Sequence, residues 1–311
     1  MLNLAAGELP EKLNISDPER VFAVHDAYAK AGAQFITANT FGANSLKYDN
    51  VDELVKAGVA LAKKAGKKVA LDLGPTGKLL KPMGDLEFEK AVELFGEVVR
   101  AGKDGSDVAI IETMSDMYEL KAAVLAVKEN SDLPIITSMI FDESGRLLTG
   151  GDVKSAVAML EGLRVDAIGF NCGLGPKQMI PLVKELRECT SLPIIVMPNA
   201  GLPESVDGKT VYNVSPDEFA NDMKEIAELG VSILGGCCGT TPAHIKRMIE
   251  LCKDIDDNIP EKKNDTVVCS YSTSVTIGQK PVVIGERINP TGKKLFKDCL
   301  LYTSDAADDL I

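Results

Sequence analysis

Short runs that are apolar throughout recur along the chain, each closed by small or polar residues and separated from the next by an amphipathic stretch. The first is Gln34-Phe35-Ile36-Thr37-Ala38-Asn39-Thr40, and others fall at residues 69–73, 108–111, 134–139, 166–170, 193–197 and 231–234, with starts roughly 26 to 39 residues apart. That interval is about one strand plus one helix. Strands that are apolar on both faces belong in a parallel sheet covered on both sides. The pattern therefore predicts an α/β protein, and seven such units in series favour a (β/α)8 TIM barrel over an open doubly wound sheet, because no nucleotide-binding glycine fingerprint is present. Too little apolar sequence precedes the first helix to supply an eighth strand, so the barrel is expected to lack its first strand. That helix opens at Ser16-Asp17-Pro18-Glu19, which has capping-box spacing, and continues with Val21, Val24, His25 and Tyr28 on one face.

Polar and small residues collect after the predicted strands: Asn39-Thr40-Phe41-Gly42, Gly74-Pro75-Thr76-Gly77, Glu112-Thr113, Asn171-Cys172-Gly173, Pro198-Asn199-Ala200-Gly201 and Gly235-Gly236-Cys237-Cys238-Gly239-Thr240-Thr241. In a barrel all of these lie on the C-terminal rim, where active sites are built. The helix beginning at Thr241-Pro242 is the last of the series. Residues 254–280 are charged and read as a linker after a barrel over residues 1–253. Residues 281–298 then look like a strand and loop opening another domain.

Composition narrows the function. A net charge of −12 argues against a nucleic-acid partner. No apolar run approaches the ~18 residues of a membrane helix, and the N-terminus has no basic region followed by an apolar core, so a cytoplasmic protein with no membrane partner is expected. Seven cysteines in a reducing compartment make a disulfide framework a poor explanation.

Two adjacent cysteines leave a regular strand on opposite faces, so Cys237 and Cys238 can converge only if the flanking glycines bend the backbone. Cys172 closes a loop two strands earlier, and alternate strands feed the same layer of a barrel. Three sulfurs meeting above the core would make a zinc site with one open position. Ordinary buried cysteines and a redox pair are the competing readings. Cys189, Cys252 and Cys269 are read as packing residues, and His25 as structural. His244 is read as a capping-region or solvent-facing residue, and Asp72 as a hydrogen-bonded structural carboxylate. Glu112, directly after a strand, could receive a ligand's ammonium group or form a rim salt bridge.

These motifs together resemble the homocysteine S-methyltransferase family, and within it the homocysteine-binding module of cobalamin-dependent methionine synthase. The residues that carry the likeness are Asn39-Thr40-Phe41-Gly42-Ala43, Phe170-Asn171-Cys172-Gly173, Met197-Pro198-Asn199-Ala200-Gly201 and the double-cysteine turn through Pro242. The segment Ile284-Gly285-Glu286-Arg287-Ile288-Asn289-Pro290-Thr291-Gly292 resembles the start of the folate-binding barrel of that enzyme. The resemblance implies a methyltransferase with Zn2+ held by Cys172, Cys237 and Cys238. It also implies L-homocysteine as substrate and methylcobalamin as a methyl donor bound by a module outside this chain. The cobalamin- and folate-binding modules would be its partners.

By the same resemblance, Asn199 occupies or adjoins the open metal position, Glu112 holds the substrate's amino group, and Asn39 and Thr113 complete the pocket. Backbone groups near Gly74 and Thr113 would take the substrate's carboxylate. Betaine- and S-methylmethionine-dependent enzymes share the cysteines and are the alternative. So is a fragment that binds zinc and homocysteine without turnover, since the family's N-terminal Asp-Gly strand is missing. Residues 299–311 match no family pattern, resemble a translated transposase sequencing adapter and are expected to be non-native.

Overall fold

The computed structural model describes residues 2, 4, 7–206, 209–256, 258–278 and 280–284. The chain divides into a large unit, Met1–Val275, and a second unit from Thr276 onward. The expected folate-barrel start beyond Ile284 and the expected non-native tail lie outside the described residues.

The large unit is built on seven parallel strands: β1 (Phe35–Thr37), β2 (Lys68–Leu73), β3 (Val108–Met114), β4 (Ile135–Met139), β5 (Ala167–Asn171), β6 (Ile194–Met197) and β7 (Ile233–Leu234). They are hydrogen-bonded in chain order, β1 through β7, as a TIM-barrel-like sheet. Eight helices flank them: α1 (Pro18–Lys30), α2 (Val51–Lys64), α3 (Phe88–Gly102), α4 (Met117–Asn130), α5 (Val153–Gly162), α6 (Pro176–Cys189), α7 (Pro216–Glu228) and α8 (Pro242–Cys252). All seven expected strands and their order are found. Among the described residues, β1 and β7 each pair on one side only, and the side chains of Phe35 and Thr37 on β1 are exposed. A small hairpin, Glu204–Val206 with Lys209–Val211, departs between β6 and α7. Among the described residues no helix is long and apolar enough to cross a membrane.

Two apolar layers explain why the strands carry no polar face. The larger lies between sheet and helices and takes Ile36, Val69, Leu71, Leu73, Ala109, Ile111 and Met114 from the first three strands. The smaller fills the lumen with Ala70, Val108, Ile110 and Ile195, bordered by Ile136, Met197 and Ile233. Side chains alternate along a strand. Asp72, two residues past Ala70, therefore faces the lumen, and so does Glu112, two residues past Ile110.

Local chemistry sets the helix starts. Asp17, rather than Ser16, caps α1, accepting the Arg20 N–H at 3.3 Å, while the Ser16 hydroxyl donates to the Lys12 carbonyl. A carboxylate one residue before the proline reaches the N3 amide, and the preceding serine lies in another helical turn. Asp116 caps α4 through the Tyr118 and Glu119 amides, and Asp152 caps α5 through the Ser155 amide.

The stretch after α8 runs back along the large unit. The Asn258 carbonyl accepts from Arg187 at 2.8 Å, the Lys263 N–H donates to Ser191 Oγ at 2.8 Å, and the Tyr271 hydroxyl donates to Asp116 Oδ2. Tyr271 also stands edge-on to Tyr118, with ring centroids 4.7 Å apart.

Candidate metal and substrate site

Cys172 and the Cys237-Cys238 pair come together at the C-terminal rim. The three sulfurs lie within 4.8 Å of one another, with Cys172 Sγ to Cys238 Sγ at 3.8 Å and Cys237 Sγ to Cys238 Sγ at 4.0 Å. Four sulfur-length bonds of about 2.3 Å in a tetrahedron put ligand sulfurs about 3.8 Å apart. The donor set and its spacing therefore fit a zinc ion. The three thiols are hydrogen-bonded to one another through Cys238. Donation from Cys172 and Cys237 holds Cys238 far below the usual thiol range, whereas hydrogen bonds and burial push Cys237 up.

The backbone achieves convergence in two ways. Cys172 adopts φ +56°, in the left-handed region rarely taken by a residue with a Cβ. The double-cysteine loop is pinned to the end of β6: Gly235 N–H to Val196 O at 3.1 Å, Cys237 N–H to Pro198 O at 2.8 Å, and Ala200 N–H to Cys238 O at 2.9 Å. Thr240 closes the turn by donating its N–H and hydroxyl to the Cys237 carbonyl. Of the flanking glycines, Gly239 supplies the positive φ, +79°. Gly235 and Gly236 supply space instead, since a Cβ there would stand 2.8 Å from Met197 and 2.5 Å from Thr240.

The other expected residues separate into two groups. Asn199 is buried, and its Oδ1 accepts the Cys238 N–H at 3.0 Å, so it holds the loop from below the sulfurs. Glu112 is half-buried on a β3 bulge between Ile111 and Met114. Burial and the charge of Cys238 push its carboxyl up to about 7. Thr113, beside it, has φ +65° and gives its N–H to Asn171 Oδ1 at 2.8 Å. Asn39 points elsewhere: its amide donates to Pro10 O and to Asn14 Oδ1, both at 2.8 Å, tying β1 to the N-terminal segment. Of the backbone groups near Gly74 and Thr113, the Thr113 N–H is given to Asn171 Oδ1 and the Gly74 N–H to the Phe41 carbonyl.

Asp72 departs from its expected hydrogen-bonded role. Only its backbone is bonded, to the Thr40 hydroxyl, while its buried Oδ1 has no partner. Burial first, then the charges of Glu112 and Glu11, raise its pKa well above the carboxylate range. A strand residue between Leu71 and Leu73 reads as structural in sequence, and only the assembled sheet shows that it stands near Glu112. His244 is buried rather than solvent-facing. It completes a capping box with Thr241, and its Nε2–H donates to the Val214 carbonyl at 3.0 Å. Cys189 and Cys252 are partly buried against the core, as expected, but Cys269 is exposed on a two-stranded ribbon. His25 is buried as expected, without a partner for Nε2, and burial lowers its pKa to about 4.

Two residues beside the site are given no role of their own by the sequence reading. Asn171 bridges Thr113, Ser138 and Cys237 through one carboxamide. Tyr212, at the foot of the hairpin, lies against Gly239; burial and the nearby Cys238 push its phenol up to about 12. Asn171 was legible only as the neighbour of a candidate ligand, and Tyr212 carried no spacing signal.

A family model described as homocysteine S-methyltransferase matches residues 4–252. Methionine synthase from Mycobacterium leprae is 32% identical over 320 residues, covering 94% of this chain and 26% of that protein. The Mycobacterium tuberculosis methionine synthase is also 32% identical, over 315 residues, with the same coverage. The chain thus spans about a quarter of the length of these curated relatives. Among solved structures, the metallated form of the Escherichia coli homocysteine methyltransferase MmuM superposes with a TM-score of 0.68 at 23% identity, covering 80% of this chain and 90% of that one. At that identity the likeness speaks for the fold.

Proposed function

This chain belongs to the homocysteine S-methyltransferase family, and we propose that it is the homocysteine-activating module of a methionine synthase that transfers a methyl group to the homocysteine thiol. The observation that carries this reading is the three-sulfur cluster, whose spacing suits a tetrahedral metal with one position left for a substrate sulfur. The extent of the match to methionine synthases, 94% of the chain, favours that enzyme over family members using other methyl donors.

Cys172, Cys237 and Cys238 would hold the ion. Zinc bound there would take the substrate thiol as a thiolate at neutral pH, releasing its proton. Three cysteinates would outweigh the two charges of the metal and so would keep a substrate sulfur bound there electron-rich. Glu112 receives the substrate ammonium, with Asp72 behind it as a second lumen carboxyl; an approaching cation favours the ionised form of both. Asn199 fixes the Cys238 amide, and so the side of the cluster that faces the open position. The sulfur's electron pair forms the new bond to the methyl carbon, and the donor leaves with the pair of the bond that breaks. By resemblance the donor is methylcobalamin, brought by a partner module. Mixing the chain with zinc, homocysteine and free methylcobalamin tests this: homocysteine-dependent demethylation with methionine as product supports transfer, and zinc binding without product would reduce the chain to a binding module.

A further inference from the structure

Among the described residues of the strand C-terminal rim, Cys172 and Thr113 alone carry side chains on left-handed backbone, at φ +56° and +65°. Thr113 is β-branched, which makes positive φ especially costly. Such strain persists only where surrounding contacts over-determine it. For Thr113 those contacts come from one side chain. Asn171 Oδ1 accepts the Thr113 N–H at 2.8 Å, and Asn171 Nδ2 donates to Thr113 Oγ1 at 2.7 Å.

The same carboxamide has two further contacts. Oδ1 also accepts the Ser138 hydroxyl at 2.8 Å, and the Thr113 N–H, which can only donate, fixes which end of the amide is oxygen. Nδ2 stands 3.9 Å from Cys237 Sγ, at the distance of an N–H to sulfur hydrogen bond. Asn171 is fully buried and immediately precedes Cys172. It thus touches the Thr113 turn next to Glu112, the Cys237 sulfur and, through the chain, the Cys172 sulfur.

We propose that Asn171 is a positioning residue that locks the metal half of the site to the amino-acid-binding half. The sulfur of a bound amino thiol and its ammonium group must be met at a fixed separation by the cysteine cluster and by Glu112. Asn171 sets that separation with one rigid planar group. Its amide oxygen holds the bulge that carries Glu112, and its N–H tempers the charge of the Cys237 thiolate. This inference rests on the proposed homocysteine site and adds the element that couples its two ends.

Asn171→Asp tests it, because the carboxylate keeps both acceptor contacts and loses both donor contacts. The probe is Co2+ alone, titrated into the full chain, followed by homocysteine. The expected result is a sulfur-to-cobalt charge-transfer band moved to longer wavelength, since a thiolate without its N–H donor is easier to oxidise. Homocysteine should then bind at least tenfold more weakly, with cobalt affinity reduced far less. In Asn171→Ala, which frees Thr113 altogether, adding Thr113→Gly should recover homocysteine affinity several-fold, because glycine takes positive φ unaided. An unshifted band with homocysteine affinity within twofold of wild type would overturn the proposal, as would Thr113→Gly giving no recovery. A metal-independent readout separates this from the reading beneath it. If wild type binds no cobalt, the thiolate-site reading fails; hydrogen exchange at the Thr113 amide, protected in wild type and open in Asn171→Ala, still decides whether Asn171 holds the turn.

Discussion

The Asn199 side-chain oxygen accepts the backbone N–H of Cys238 at 3.0 Å, joining the end of β6 to the double-cysteine loop after β7. Removing that acceptor leaves a part-buried amide unpaired, which costs about 1–3 kcal/mol. Asn199→Ala is expected to lower stability by that order and to weaken zinc binding. Asn199→Asp, which keeps an acceptor, should retain most of the stability. Thermal unfolding of both variants, with zinc competition against a chelator, checks the pair.

Glu112 gives a pH dependence whose sign can be worked out. Its carboxyl titrates at about 7 in the folded chain because of burial and the nearby Cys238 charge, against about 4.3 for an unperturbed glutamate. The folded state therefore holds a proton that the unfolded state has released. The stability this contributes is fully present below about pH 4.3 and is lost as pH rises through about 7. Glu112→Gln should flatten the fall in metal-free stability between pH 5 and 8, leaving the slope contributed by Asp72, whose pKa is raised in the same direction. Because the ammonium needs the ionised carboxylate, the same variant should raise the homocysteine KM by about tenfold to a hundredfold, the worth of a hydrogen bond to a charged group.

Gly239 and Gly66 separate backbone strain from damage to the site. Both have positive φ, +79° and +71°, but a Cβ at Gly66 would meet nothing within 4 Å, whereas one at Gly239 would stand 2.4 Å from the Tyr212 ring. Gly66→Ala should cost about 1–2 kcal/mol of stability from strain and leave metal affinity unchanged. Gly239→Ala should cost more and weaken zinc binding, because either the Tyr212 ring or the double-cysteine loop itself must shift. Parallel urea titrations and metal competition distinguish the two.

The strands and their order were legible because parallel strands buried on both faces leave continuous apolar runs, as in the 69–73 and 166–170 segments. The three sulfurs were legible because cysteine has few uses in a reducing compartment and the rim position is set by strand order. The linked roles of Asn171, Asp72 and Tyr212 were not. Asn171 acts through hydrogen bonds to Thr113, 58 residues away in sequence. Asp72 acquires its character from the lumen around it, and Tyr212 reaches the double-cysteine loop only because a hairpin brings it against Gly239. The capping of α1 was misassigned by one residue because Ser16 and Asp17 are both good caps, and only the proline's place in the helix chooses between them. Asn39 has the rim position of a binding residue, but its amide is spent on the N-terminal segment.

The central claim is a metal held by Cys172, Cys237 and Cys238 with a fourth position for the substrate sulfur. Zinc-edge X-ray absorption of the zinc-loaded chain, recorded without and with homocysteine, tests it most directly. The account predicts three sulfur ligands at about 2.3 Å without substrate and four with it, and one sulfur fewer in each state for Cys237→Ser. An unchanged ligand set on adding homocysteine, or three sulfurs retained in Cys237→Ser, would contradict it.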